Sequence, residues 1–380
     1  MNEYTAKNTL VLAKRHHNTR RTYLLVNPLQ AKHLPVSPGE SLKMMDCLGR
    51  QIARRYPAAK LVIGFAETAT AIAATVAGCL NVGCKYIHTT RESYAGLTDW
   101  ICFSEEHSHA VEQKLYCRDL AEWIANTPQI IFVDDEISSG KTLLNVIEQL
   151  QMEFPEIRNR KIVAASIINR LSPENEKRLL NSGIESMFLV KLNGEDLTED
   201  VAHFRIEPAM PIKAGNRLAD YELIQTNEPF MDPRLGVDIS QYKMSCQAEA
   251  MRLSEYFLRS FQKIHNVLVL GTEECMYPSL ILGQELERSG MVASVKCHAT
   301  TRSPIGICLD ETYPIRSGFK LHSFYNYGRE TYIYNLSSYD IAIVVTDTTE
   351  DDPWARSDIS EALKAHGCSR IIFVEGGRRV

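Results

Sequence analysis

None of the ten cysteines, at 47, 79, 84, 102, 117, 246, 275, 297, 308 and 368, forms a Cys-x-x-Cys pair, the close spacing by which zinc and iron–sulfur sites usually announce themselves. Scattered free thiols read as a chain kept in a reducing cytoplasm. Long apolar runs are also missing. Nothing is long enough to cross a bilayer, and the opening residues MNEYTAKNTLVLAKRHHNTRRTY lack the uninterrupted apolar core of a secretory signal, so no membrane partner is expected. Nor is there an excess of positive charge. Lys and Arg number 42 against 47 Asp and Glu, a net charge of -5, which argues against a surface built to neutralise nucleic acid. There is no close internal repeat and no low-complexity segment.

What is present is the composition of a globular protein, 44% hydrophobic and 23% charged, over 380 residues, enough for two ordinary cores. Two segments begin as apolar strands, turn at small residues and continue as helices: KLVIGFAETATAIAATVAGCL, turning at Gly64, and QIIFVDDEISSGKTLLNVIEQL, turning at Ser138 to Gly140. With KIVAASIINR and SMFLVKL they predict a parallel sheet covered on both faces, an α/β domain from about residue 20 to about 205. Residues 206–241 hold four prolines and little period, and predict an irregular linker over the surface. From 242 to 380 the strands NVLVLG, YDIAIVVTDT and RIIFVEG alternate with helical stretches, predicting a second, smaller α/β domain.

The chemistry concentrates in FVDDEISSGKT. Gly-Lys-Thr at 140–142 is the ending of a nucleotide P-loop, but Asp135 stands where such a loop needs its first glycine, and its carboxylate would repel a phosphate. The alternative is a strand ending in two acids that accept hydrogen bonds from vicinal hydroxyls, followed by a small-residue loop and helix start that hold a phosphate monoester. A sugar phosphate satisfies both halves.

In these residues the chain resembles the type I phosphoribosyltransferases, whose phosphoribosyl pyrophosphate (PRPP) motif sets hydrophobic residues before two acids and a hydroxyl-rich phosphate loop. The resemblance implies that Asp134 and Asp135 face the ribose hydroxyls and that Ser138, Ser139, Gly140, Lys141 and Thr142 hold the 5-phosphate. It assigns the upstream loop Phe65, Ala66, Glu67 and Thr68 to the leaving pyrophosphate, and reads residues 86–116 as a mobile lid bringing Arg91 to it, with Glu92 orienting Arg91 or holding a metal-bound water. Mg2+ is expected through PRPP, with no dedicated protein metal site. His107 and His109 in EEHSH lack a third partner for one. The stretch LLVNPLQAKHLPVSPGE is a candidate hood over the acceptor, with Lys32 and His33 either meeting it or solvating a loop. Purine-salvage members often carry an aspartate at the place of Ser138. Serine cannot act as a base near neutral pH, so the motif is closer to orotate-type enzymes and the acceptor stays open.

Thr-Arg-Ser-Pro at 301–304, with GTEECMYPSLILGQELE and FYNYGRETYIYN, resembles the TRSP domain, which is fused behind a phosphoribosyltransferase domain in proteins encoded near bacterial tellurite-resistance and stress gene clusters. The fold so implied is a type I phosphoribosyltransferase parallel-sheet domain followed by a Rossmann-like TRSP domain. The turn Gly271, Thr272, Glu273, Glu274 sits at a strand's carboxyl end, where such folds bind ligands, and Arg302, Ser303 and Arg329 offer an anion site or, equally, a salt-bridged surface. The acids of TDTTEDDPW read as metal ligands or, more simply, as a solvated loop. The expected activity is PRPP-dependent phosphoribosyl transfer to a nucleobase-like acceptor with release of pyrophosphate, in synthesis or salvage of a nucleotide-like stress metabolite. A non-catalytic PRPP sensor and a ribosyl-phosphate-releasing enzyme are the alternatives. The expected partners are small molecules, and the fold is compatible with a homodimer.

Overall fold

The computed structural model describes residues 3–16, 18, 21–103, 113–212, 220–260, 265–348 and 353–379. The first half is built on a six-stranded sheet. Its order is Val237–Asp238, Lys85–His88, Ala59–Gly64, Gln129–Ile137, Lys161–Asn169 and Ile184–Lys191, parallel throughout except for the first pair. The strand carrying the acid pair lies inside this sheet. Its apolar residues Ile130 to Val133 are buried, and only beyond them, at the carboxyl end, do the acids begin. The helices foreseen after the two strand–turn segments run from Thr70 to Gly78 and from Lys141 to Glu153.

The second half has a five-stranded parallel sheet ordered Glu222–Gln225, Arg370–Glu375, Ile341–Thr346, Asn266–Gly271, Ser294–Ala299. The linker expected at 206–241 is therefore not irregular throughout. It supplies an edge strand to each sheet, Glu222–Gln225 to the second and Val237–Asp238 to the first. Strands of two to four residues flanked by prolines carry too little periodicity to be read from sequence. The expected lid likewise contains regular strands: Lys85–His88 belongs to the sheet, and Trp100–Phe103 pairs antiparallel with Gln113–Tyr116. A further hairpin, Val11–Lys14 with Tyr23–Val26, lies before the helix Pro38–Arg55.

One apolar cluster runs through both halves, joining Met44, Met45, Tyr86 and Val133 to Tyr277, Val269, Cys297 and Ile343. Helices Pro38–Arg55 and Tyr277–Arg288 meet at glycines. A Cβ on Gly283 would lie 2.3 Å from Cys297 Sγ and 3.3 Å from Pro38, and one on Gly39 would lie 2.5 Å from Glu287 Oε2. That approach lets Glu287 cap the helix that begins at Pro38, accepting from Ser37 Oγ (2.6 Å) and the Gly39 amide (2.9 Å), with its negative charge on the helix's positive end.

Candidate active site

At the carboxyl ends of the first sheet's strands lies a cavity of about 400 Å³, in the range usual for small-molecule sites. Asp134 and Asp135 line it, with Ser138, Ser139, Gly140 and Thr142 of the following loop and Phe65 to Thr68 of the upstream loop. These two stretches are distant in sequence but joined directly: Thr68 Oγ1 donates to Asp135 Oδ1 at 2.9 Å, across 67 positions. Asp134 Oδ1 accepts from the Asp135 amide at 2.9 Å. Burial raises the Asp135 pKa, as does Glu136 nearby, and the hydrogen bonds from its neighbours offset this only in part. Glu136 also lines the cavity, but its charge is taken up by Arg21 (2.7 Å) and Arg170 (3.2 Å).

The loop Ser138-Ser139-Gly140 delivers the chain into a 13-residue helix with no acid in its first turn, so the helix itself adds no carboxylate against its positive dipole end at the cavity. Gly140 makes the turn at φ 74°, and a Cβ there would lie 2.6 Å from Leu179 Cδ1. Lys141 does not line the cavity and its side chain lies on the exposed side of the helix, which departs from its expected place in the phosphate loop. A helical residue's side chain points away from the axis, and at the first position this one turns outward. Gly140→Ala should cost about 1–2 kcal/mol from the left-handed backbone alone and weaken phosphate-ester binding. A urea melt read beside a ribose 5-phosphate titration checks both.

The upstream loop is held by side chains that sequence reading left out. The Ala66 amide donates to Thr89 Oγ1 (2.9 Å), and Gln113 Nε2 donates to the Ala66 carbonyl (3.0 Å). The Ala66–Glu67 peptide is cis. Glu67 is wrapped by cations and donors: Lys32 Nζ at 3.4 Å, Thr301 Oγ1 at 2.6 Å and the Arg302 amide at 2.8 Å. Burial opposes its ionisation, but Lys32 and Arg302 outweigh that and hold its pKa below the usual value. Lys32 is fully buried and also donates to the carbonyls of Glu273 (2.8 Å) and Thr300 (2.9 Å), so it ties the two halves and does not meet an acceptor. His33 does line the cavity. Burial and Lys32 push its pKa down to about 3, which keeps the imidazole neutral and a poor base.

The site expected separately in the second half is not separate. Arg302, Ser303 and Pro304 line the same cavity as the acid pair. The turn after Asn266–Gly271 is packed by its own side chains. Thr272 Oγ1 bonds Tyr325 Oη (2.8 Å) and Thr346 Oγ1 (3.0 Å), and a Cβ on Gly271 would lie 2.4 Å from the Cys275 carbonyl. Glu273 Oε2 accepts from Arg302 Nε (2.8 Å), and Glu274 joins Arg302 (3.0 Å) and Arg234 (2.5 Å). The strand end therefore faces the first half and is filled by ion pairs.

Arg91 lines the cavity and Glu92 does not. Glu92 is buried and accepts from Arg302 Nη2 (2.7 Å) and Arg329 Nη1 (2.5 Å), so it is an ion-pair partner of the second half, not a support for Arg91 or a holder of metal-bound water. Burial and Glu274 raise its pKa against the pull of both arginines. Arg329 is accounted for by the same pair. Arg15, Asn18 and Arg21, inside the basic stretch KRHHNTRRTY, also line the cavity. Their signal was charge close to the hood, which a surface loop shows equally. His107, His109, Glu350, Asp351 and Asp352 lie outside the described residues, and Asp347 pairs with Arg234. Among the described residues no group of three or more His, Cys, Asp or Glu is arranged to hold a metal ion.

Residues 10–192 match a family model described as phosphoribosyl transferase, and residues 232–363 match one described as the TRSP domain, C-terminal to that transferase. The first stretch thus belongs to a phosphoribosyl transferase family and the second to the TRSP domain that follows it. In this transferase–TRSP chain the two matched stretches meet at the cavity just described, through Glu67 and Arg302. No curated protein matches it. Similar solved structures include orotate phosphoribosyltransferase from Aeropyrum pernix, at 16% identity over 43% of this chain and 77% of that one, TM-score 0.27. Adenine phosphoribosyltransferase from Giardia lamblia complexed with 9-deazaadenine is 16% identical over 49% and 96%, TM-score 0.35. That from Trypanosoma brucei, in complex with AMP, pyrophosphate and ribose-5-phosphate, is 14% identical over 48% and 76%, TM-score 0.35. No helix of the described residues is long and apolar enough to cross a membrane.

Proposed function

We propose that the protein transfers the 5-phosphoribosyl group of PRPP to a nucleobase-like acceptor and releases pyrophosphate, in synthesis or salvage of a nucleotide-like metabolite linked to stress response. What carries the reading is one cavity lined at once by the acid pair, the helix-start loop, the upstream loop and Arg91. Asp134 and Asp135 accept from the ribose hydroxyls, Ser138, Ser139, Gly140 and Thr142 fix the 5-phosphate, and Phe65 to Thr68 with Arg91 receive the leaving pyrophosphate. An acceptor nitrogen forms its bond to ribose C1 as the C1–oxygen bond breaks, and the electron pair leaves with pyrophosphate. Positive charge on the sugar grows beside two carboxylates, and no protein nucleophile is required. The chain's part is positioning and preset electrostatics.

The oxygen donors of Asp134 and Asp135 suit a hard cation arriving with PRPP. Neutralising charge on the departing pyrophosphate is the chemistry a bound magnesium ion supplies. The ten cysteines, all unpaired, agree with a cytoplasmic setting.

Incubation with PRPP and magnesium across a panel of nucleobases, with pyrophosphate release as the readout, tests the assignment. Release with at least one base is expected. PRPP binding without turnover on any of them points to a sensor, and release without any base points to a ribosyl-phosphate hydrolase.

A further inference from the structure

Four carboxylates converge on the guanidinium of Arg302, two from each half of the chain. Glu273 and Glu274 of the second half sit at 2.8 and 3.0 Å, and from the first half come Glu92 at 2.7 Å and Glu67 at 3.5 Å, the last also bonded by the Arg302 amide at 2.8 Å. The second-half anchor is itself fixed. Ser323 Oγ donates to Glu273 Oε1 at 2.5 Å, the Glu273 amide donates to Thr300 Oγ1 at 2.9 Å, and Lys32 Nζ binds both the Glu273 and Thr300 carbonyls. The two first-half acids are not equivalent in sequence. Glu67 belongs to the loop assigned to pyrophosphate, whereas Glu92 is the residue after Arg91.

We propose that Arg302 is a positioning residue for the leaving-group side of the transferase site, holding the pyrophosphate loop through Glu67 and the Arg91 segment through Glu92 at a fixed spacing. This rests on the reading given under Proposed function. A guanidinium suits the task because its planar fork addresses several carboxylates in set directions, which an ammonium does not. The TRSP stretch thus serves the transferase site, and the strand end that would bind a ligand in an independent domain is occupied by the anchor. Preset donors accelerate a reaction only if they are in place before charge develops, and Arg302 keeps both receiving elements there.

The test is calorimetric titration of pyrophosphate and, separately, ribose 5-phosphate into the full chain and its variants Arg302→Gln, Arg302→Lys and Glu273→Gln, with melting followed in parallel. Pyrophosphate should bind about tenfold more weakly to Arg302→Gln, as for loss of charge-assisted hydrogen bonds. In Glu273→Gln, where only the anchor is loosened, the loss should be about threefold. Arg302→Lys, keeping charge but not the fork, should resemble Arg302→Gln. Ribose 5-phosphate should stay within about twofold throughout, since its residues are not touched. Tighter pyrophosphate binding by Glu273→Gln would make Arg302 a direct anion ligand freed from its partner, and would overturn the positioning role. Equal losses for both ligands, or none for either, overturn it as well. Should Arg302→Gln not fold, Glu273→Gln decides alone. A wild-type protein that binds neither ligand overturns the transferase reading, and this role with it.

Discussion

Asp134→Asn combined with Asp135→Asn is expected to abolish measurable PRPP binding while the fold stays intact. Each aspartate replaced by its amide loses a charged acceptor for a ribose hydroxyl, worth about 1.5–3 kcal/mol, so the pair should weaken binding by two orders of magnitude or more. The same change is mild for folding. Asp135 is half-buried with a raised pKa, and an amide oxygen can still accept from Thr68 as the carboxylate does now. At position 134 the amide oxygen of the replacement can likewise keep the bond from the next backbone N–H. Removing a charge that burial penalises should therefore leave the urea midpoint unchanged or slightly higher. Full PRPP affinity in the double variant would remove the acid pair from the site.

The largest stability effect should follow Arg234→Met. Arg234 is almost fully buried and is the shared partner of Asp232 (3.0 Å), Glu274 (2.5 Å) and Asp347 (2.6 Å), with its guanidinium 5.3 Å from the centre of the Tyr325 ring. These partners come from the connection and from two strand ends of the second sheet, while Thr90 of the first half bonds Glu274 at 2.9 Å and Tyr94 bonds Asp232. Methionine fills much of the volume and leaves buried Asp232 and Asp347 without this cation and Glu274 paired with Arg302 alone, a loss of about 3–5 kcal/mol on the precedent of broken buried pairs. Chemical denaturation measures it. Arg252→Met, which removes a partly exposed pair with Glu249 three residues away, should change stability by less than about 0.5 kcal/mol. Similar values for the two variants would mean that the buried cluster adds nothing.

The strand, acid pair, turn and helix and their parallel-sheet setting were legible because they are local: an apolar strand, two acids, a small-residue turn and a helix follow one another within 21 residues, 130–150. The upstream loop was legible for the same reason. What escaped was whatever depends on distant contact. Glu92 read as a partner of Arg91, its neighbour in sequence, but its partners are Arg302 and Arg329, more than 200 positions away. Arg302 read as part of a second site because nothing in TTRSPIG says that it faces Glu67. Arg234 went unremarked inside a proline-marked connection, where a buried arginine and a solvated one look alike. Charged residues were the weak point throughout, since sequence gives their sign and spacing but not whether water or another charge surrounds them.

The Lys32–Glu273 and Arg302–Glu92 bonds span 241 and 210 residues of sequence. During synthesis the ribosome, adding roughly 5–20 residues per second, needs on the order of ten seconds or longer after Glu92 emerges before Arg302 exists to meet it. The growing chain therefore carries the acid pair and its helix-start loop well before it carries the arginine that joins Glu67 to Glu92. On the proposed reading, the pyrophosphate side of the site reaches its full geometry once the last third of the polypeptide has been made and folded onto the first.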